Sequence, residues 1–262
     1  MAGDNAQQIG DWNGPVGERW AAEQEMMDPL IRPFGEAAMR AARLQPGESV
    51  LDIGCGCGDT SLPLAEAVGP AGKVVGVDVS APMLAVARRR AAGIPNLSFI
   101  EADASGADLP GPFDLLFSRF GVMFFDDPPA AFARIRGAMK PGGRLAFACW
   151  RPAGENPWAG IPGKAAFAVS GLPATQPNPF APGPFALSDT TRTRTILETA
   201  GFVDVAFEPF EAPYRIGDTP RIAAETASRI GPASRIAREA GPDRLPAILD
   251  AMETAFTPYA GS

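Results

Sequence analysis

The sequence predicts an α/β protein with a doubly wound, mostly parallel sheet, preceded by N-terminal helices and carrying an irregular or helical cap. Three observations lead there. Short apolar runs of strand length alternate with helical patterns between residues 48 and 150. The first of these runs ends in a glycine-rich loop, Gly54-Cys55-Gly56-Cys57-Gly58, which opens the next helix. The run at 113–118 is almost wholly apolar, as a strand covered on both faces is.

Taken in order, residues 17–43 carry a helical pattern, with Trp20, Met27, Leu30, Ile31 and Phe34 as apolar members. Pro29 and Pro33 interrupt it and predict two short helices with a bend. Gln45-Pro46-Gly47 breaks the chain, and 49–53 is the first strand. Residues 59–68 read as a helix, 69–72 as its stop, and 73–78 as a second strand rich in β-branched residues. Ser80 is a good N-cap, and Met83, Leu84, Val86 and Ala87 give the following helix its apolar face. Strands are expected at 97–101 and 113–118, a helix at 128–139, a turn at Lys140-Pro141-Gly142-Gly143 and a fifth strand at 144–150. From 151 to 185 prolines recur so densely that no sheet element is expected. The apolar members of that stretch, among them Trp158, Ile161 and Phe167, predict an irregular insertion over the sheet. A helix at 191–200 and a sixth strand at 203–210 resume the core. Residues 220–256 read as helices broken at Gly231-Pro232 and Gly241-Pro242, with no strand after 220.

Composition bounds the function. The 262 residues are 46% hydrophobic and 20% charged, a globular balance. No apolar run approaches the roughly 18 to 20 residues that span a bilayer. The start, MAGDNAQQIGDW, has neither a basic leader nor an apolar segment, so a cytoplasmic location is expected. The 3 cysteines form no disulfide framework or zinc spacing, and with no histidine at all no metal is expected. A net charge of −7 argues against nucleic acid as a partner and for a small-molecule acceptor.

The glycine loop puts bare backbone where a ligand approaches at the end of a strand. Its G-x-G-x-G spacing, with Asp59 following Gly58, departs from the G-x-G-x-x-G of dinucleotide binders. An acid there repels a pyrophosphate, whereas Asp52 and Asp59 favour a cationic sulfonium. VLDIGCGCGDT, VVGVDVS, EADA, FDLLFSRFGVMFF and MKPGGRL, in that order, resemble the successive motifs of class I (Rossmann-like) S-adenosylmethionine-dependent methyltransferases over about residues 48–150.

The resemblance implies the class I methyltransferase fold, S-adenosylmethionine as cofactor and S-adenosylhomocysteine as product. It implies that Gly54 and Gly56 flank the methionine and ribose portion, that Asp52 helps orient the amino group, and that Asp78 holds both ribose hydroxyls. Val79 and Met83 would sandwich adenine, Asp103 and Ala104 would read its edge, and Ser118 would lie near the methionine amino group. Trp20, Phe120, Phe124 and Trp150 are candidates for the acceptor pocket, where an aromatic face attracts a sulfonium. No catalytic base is identified. The expected organisation is an N-terminal helical lid (1–45), a cofactor-binding core (46–150), a proline-rich cap (151–190), the end of the core sheet (191–218) and C-terminal helices (219–262). Without histidine, N- or C-methylation is favoured over O-methylation, because a hydroxyl acceptor usually needs a base. An NAD(P)-dependent oxidoreductase and a non-catalytic cofactor-binding scaffold are the alternatives.

Overall fold

The computed structural model describes residues 5–174, 178 and 180–260. The chain divides into two compact units, Met1–Trp150 with Phe180–Ala212, and Arg151–Pro179 with Pro213–Ser262.

The first unit opens with α1 (Ala6–Asn13), α2 (Pro15–Ala22) and α3 (Gln24–Ala42). The expected break at the prolines is absent, since α3 runs through Pro29 and Pro33 for 19 residues. Each proline removes one ladder donor. Pro29 is exposed and Pro33 half-buried, four residues on along the same stripe, so water reaches that side. Met27, Ile31, Ala38 and Ala42 meanwhile bury the inner face.

The core then alternates: β1 (Ser49–Ile53), α4 (Ser61–Val68), β2 (Lys73–Asp78), α5 (Ala81–Arg90), β3 (Leu97–Glu101), β4 (Phe113–Arg119), α6 (Pro128–Arg136) and β5 (Met139–Ala148). The strands form one sheet in the order β3-β2-β1-β4-β5, with every pairing parallel. Val50 of β1 lies level with Val74 of β2 and Leu115 of β4. On one face Val50, Val74, Leu115 and Phe117 pack with Ala38 and Ala42 of α3 and Leu64 and Val68 of α4. On the other, Phe132 of α6 meets Phe147 of β5 with ring centroids 5.8 Å apart. Side chains alternate along each strand, so the apolar runs are explained by cover on both faces. The strand order reverses between β1 and β4, and the crevice for a ligand opens there, beyond the carboxyl ends of the strands.

Two local expectations differ at the sheet's far edge. Residues 140–143 lie within β5, as an irregularity between the Met139–Phe113 and Arg144–Leu115 pairs, with Gly142 at φ +77°. Helix α8 (Thr190–Thr199) forms as expected, but the sixth strand at 203–210 does not. Asp204 sits at φ +54°, and the Arg194 guanidinium donates to the Val205 carbonyl at 2.6 Å, occupying an acceptor that a sheet ladder would use. Among the described residues no strand follows Ala148.

The second unit is helical: α7 (Pro157–Ser170), α9 (Pro220–Arg229), α10 (Pro232–Ala240) and α11 (Leu245–Phe256). Helix α7 corrects the expectation of irregular chain. Pro157 starts the helix, where its missing donor costs nothing, so only Pro162 interrupts the ladder. Its small residues are used in packing, Ala166 being fully buried against Ala224, Ile248 and Met252. No helix among the described residues is long and apolar enough to cross a membrane.

Candidate functional site

The glycine loop leaves β1 at the switch point between β1 and β4. Gly54, at φ +67°, lies against Gly121, and a Cβ added at Gly54 would stand 2.6 Å from the Gly121 Cα. A side chain is excluded there by neighbouring backbone as well as by conformation. At Gly56 an added Cβ would stand 2.7 Å from the Met83 Cε, so the loop is close against α5.

Asp52 is fully buried in β1. Its Oδ2 accepts from the Thr60 hydroxyl at 2.7 Å and the Ser61 hydroxyl at 2.6 Å, while its Oδ1 is buried with no hydrogen-bond partner. Burial pushes its carboxyl from 3.8 up to about 6, against the two hydroxyl bonds. An orphaned buried carboxylate oxygen is costly, and a cationic amino group would satisfy it. This is the observation by which the residues fit a cofactor that carries a free amino group, such as S-adenosylmethionine.

Asp78, at the end of β2, accepts from the Gly56 N–H at 2.7 Å and the Ser80 N–H at 2.8 Å. It thereby ties the glycine loop to the turn that starts α5. Burial raises its pKa despite these bonds. Val79 adjoins it, and Met83 is buried with Cys57 and Val86 in a cluster flanked by Trp12 and Trp20. Asp103 accepts from the Ser105 N–H and hydroxyl and, at 3.2 Å, from the Asn5 amide, with Ala104 buried beside it. The Ser118 hydroxyl donates to the Ile53 carbonyl at 2.7 Å and accepts from the Gly121 N–H, holding the ends of β1 and β4 together. The N-terminal helices reach the same loops: the Ser80 hydroxyl donates to the Trp12 carbonyl at 2.6 Å and the Ala81 N–H to the Asn13 side chain at 2.8 Å.

Asp59 corrects the electrostatic expectation. Its carboxylate receives Arg119 of β4 at 2.6 Å and Arg32 of α3 at 2.9 Å, with Arg90 of α5 at 3.6 Å. Burial raises its pKa, but the two arginine hydrogen bonds and charges outweigh it and hold the group below its usual value. A charge so neutralised does not attract a sulfonium. Asp28 of α3 extends the cluster through Arg90 at 2.9 Å, and its pKa is raised by burial and by Asp59. A cavity of about 710 Å³ opens beside this cluster, lined among others by Arg32, Met39, Leu62 and Arg119, and none of the sequence-predicted cofactor residues lines it.

Residues 50–143 match the family described as the methyltransferase domain. The core of this chain belongs to the class I S-adenosylmethionine-dependent methyltransferases. Among relatives of this methyltransferase core, aklanonic acid methyltransferase DauC of Streptomyces sp. (strain C5) is 38% identical over 45% of this chain and 55% of its own length. Nocamycin O-methyltransferase of Saccharothrix syringae is 33% identical over 67% of this chain and 66% of its own. Demethylmenaquinone methyltransferase of Symbiobacterium thermophilum is 40% identical over 38% and 42%. The chain spans less than two thirds of each relative's length. The oxidoreductase alternative falls with these matches.

In this methyltransferase core the four candidate pocket aromatics separate into two groups. Trp20 and Phe124 each lie against Trp12, at 6.0 and 5.2 Å. Phe120, at φ +63°, stacks on Trp150 with centroids 4.3 Å apart and planes 7° from parallel. Phe34 of α3 leans on both, and Phe210 on Phe34. Sequence reasoning missed Phe210 and the arginines. An arginine ending the apolar strand FDLLFSR is the signal that could have pointed to a buried anion, although nothing in the pattern says which. Cys55 and Cys57 are buried small residues of the loop, their thiols pushed up by burial, Cys57 to about 12.

Proposed function

We propose that the protein transfers a methyl group from S-adenosylmethionine to a flat, largely apolar small-molecule acceptor and releases S-adenosylhomocysteine. The observation that carries this reading is the unpaired buried oxygen of Asp52 beside the glycine loop. In it, Asp52 receives the cofactor's amino group, Gly54 and Gly56 let its backbone-side atoms approach, and Asp78 takes the ribose hydroxyls with lone pairs left by its two backbone bonds. Val79 and Met83 enclose adenine, Asp103 and Ala104 meet its edge, and Ser118 keeps the two strand ends in register. When bound, the cofactor supplies a methyl carbon activated by its sulfonium.

Displacement at that carbon requires the acceptor atom about 3 Å away and in line, so the protein's main task is alignment and exclusion of water. Phe120 and Trp150, just past the ends of β4 and β5, with Phe34 of α3 against both, offer an aromatic wall to a flat acceptor. Trp20 and Phe124 stand against Trp12 of α1, whose carbonyl accepts from Ser80 beside the proposed adenine site. The chain holds no histidine. N- or C-methylation, with the proton lost by the acceptor itself, therefore needs the fewest protein groups. The names of the relatives, one of them an O-methyltransferase, support a small-molecule acceptor. Calorimetry with S-adenosylhomocysteine tests the cofactor, and screening aromatic acceptors for S-adenosylhomocysteine release tests the transfer. A wild-type protein that binds S-adenosylhomocysteine yet releases none with any acceptor would favour the scaffold reading.

A further inference from the structure

Asp59 follows the last glycine of the loop and opens the turn into α4. Its side chain is 4% exposed, and Arg119, its partner at 2.6 Å, is 9% exposed. Arg119 ends β4, two residues before Gly121, whose backbone is pressed against Gly54. The loop after β1 is thus tied to the end of β4 at both flanks, by glycine-on-glycine contact at its start and by a buried ion pair at its finish. Arg32 and Arg90 join the same carboxylate to α3 and α5. Arg119 holds the Oδ2 oxygen through one guanidinium nitrogen and Arg32 holds Oδ1, so the carboxylate is gripped at both oxygens and its direction is fixed as well as its distance.

We propose that Asp59 and Arg119 are positioning residues that set the Gly54–Gly58 loop for S-adenosylmethionine, acting through the backbone and not by touching the ligand. The inference rests on the methyltransferase reading. Loss of either partner leaves the other charge buried, and the loop end relaxes to pair or hydrate it. The half-exposed Arg32 contributes less, because solvent already screens that arm.

The test titrates S-adenosylhomocysteine by calorimetry into wild type, Asp59→Asn, Arg119→Lys and Arg32→Met, at a temperature where circular dichroism shows each folded. Asp59→Asn and Arg119→Lys should bind at least about ten-fold more weakly, by the usual scale of positioning losses, and Arg32→Met less than about three-fold more weakly. With any accepted acceptor, KM for the cofactor should rise more than kcat falls, and Asp59→Glu should recover part of the loss. Folded Asp59→Asn and Arg119→Lys proteins with wild-type affinity and a lowered melting temperature would overturn the proposal, because a purely structural pair has that signature. Should Asp59→Asn fail to fold, Arg119→Lys, which keeps the charge and changes the reach and shape of the donor, decides the matter alone. A wild-type protein that does not bind S-adenosylhomocysteine overturns the methyltransferase reading itself, and this inference with it.

Discussion

The two ends of the glycine loop carry one buried aspartate each, and they differ in every electrostatic respect. Asp52, before the loop, has two hydroxyl donors, one empty oxygen and a pKa raised to about 6. Asp59, after it, is gripped by arginines and has its pKa lowered. Seven residues apart and both enclosed, they show that burial alone does not decide a carboxylate's role. One is saturated by cations and serves the frame, while the other keeps an unpaired oxygen.

The largest way to break this contrast is Asp59→Ala. It leaves Arg119 buried without its anion, and removing one partner of a buried pair typically costs about 3 to 5 kcal/mol. Chemical denaturation should show a loss of that order. A change under about 1 kcal/mol would mean that water already serves the cluster.

Asp52→Asn should do the reverse. Because burial raises the group from 3.8 to about 6, the folded protein holds a proton between those values that the unfolded chain has lost. Stability therefore falls as pH rises through that window, and at roughly 1.4 kcal/mol per pH unit the ionised carboxylate costs about 3 kcal/mol above it. Asparagine, neutral throughout, should melt higher than wild type above about pH 6, the advantage shrinking toward pH 4. The same variant should lose S-adenosylhomocysteine binding. In the wild type that binding should weaken below about pH 6 as Asp52 is protonated.

Asp78→Ala comes next. It strips the acceptor from the Gly56 and Ser80 N–H groups and, in the proposed site, from the ribose. Each such bond is worth roughly 1.5 to 3 kcal/mol, so affinity should fall at least about ten-fold by calorimetry. Unchanged affinity would leave Asp78 a cap for the turn alone. The smallest effect is expected far from either acid. Arg43 ends α3 in the left-handed region at φ +51°, and Arg43→Gly should raise stability by about 0.5 to 1 kcal/mol. A loss there would show that the arginine side chain matters beyond its backbone.

The strands of this core were legible because two-sided burial leaves apolar runs punctuated by glycine, and the order of motifs at their ends pointed to the methyltransferase family. Pro29, Pro33 and Pro162 misled for one reason. A proline's cost is a single local donor, whereas what holds α3 and α7 is packing distributed along a whole face. The missing sixth strand was lost to a side chain, Arg194, that no periodicity reports. The partners of Asp59 come from α3, α5 and β4, between 27 and 60 positions away in the chain for Arg32 and Arg119. Local pattern gave the acid and could not give its neutralisation.

The loop's cysteines carry a practical consequence. Only the thiolate reacts readily with alkylating agents, and burial pushes the Cys57 thiol up to about 12 and the Cys55 thiol well above its usual value. Modification at neutral pH must wait for the loop to open, so the rate of iodoacetamide incorporation at these two positions is a clock for local breathing. Cys149, near the end of β5 with its thiol pushed up to about 11, keeps time for the neighbouring edge of the same sheet. A ligand seated on the loop slows the first clock and leaves the second running.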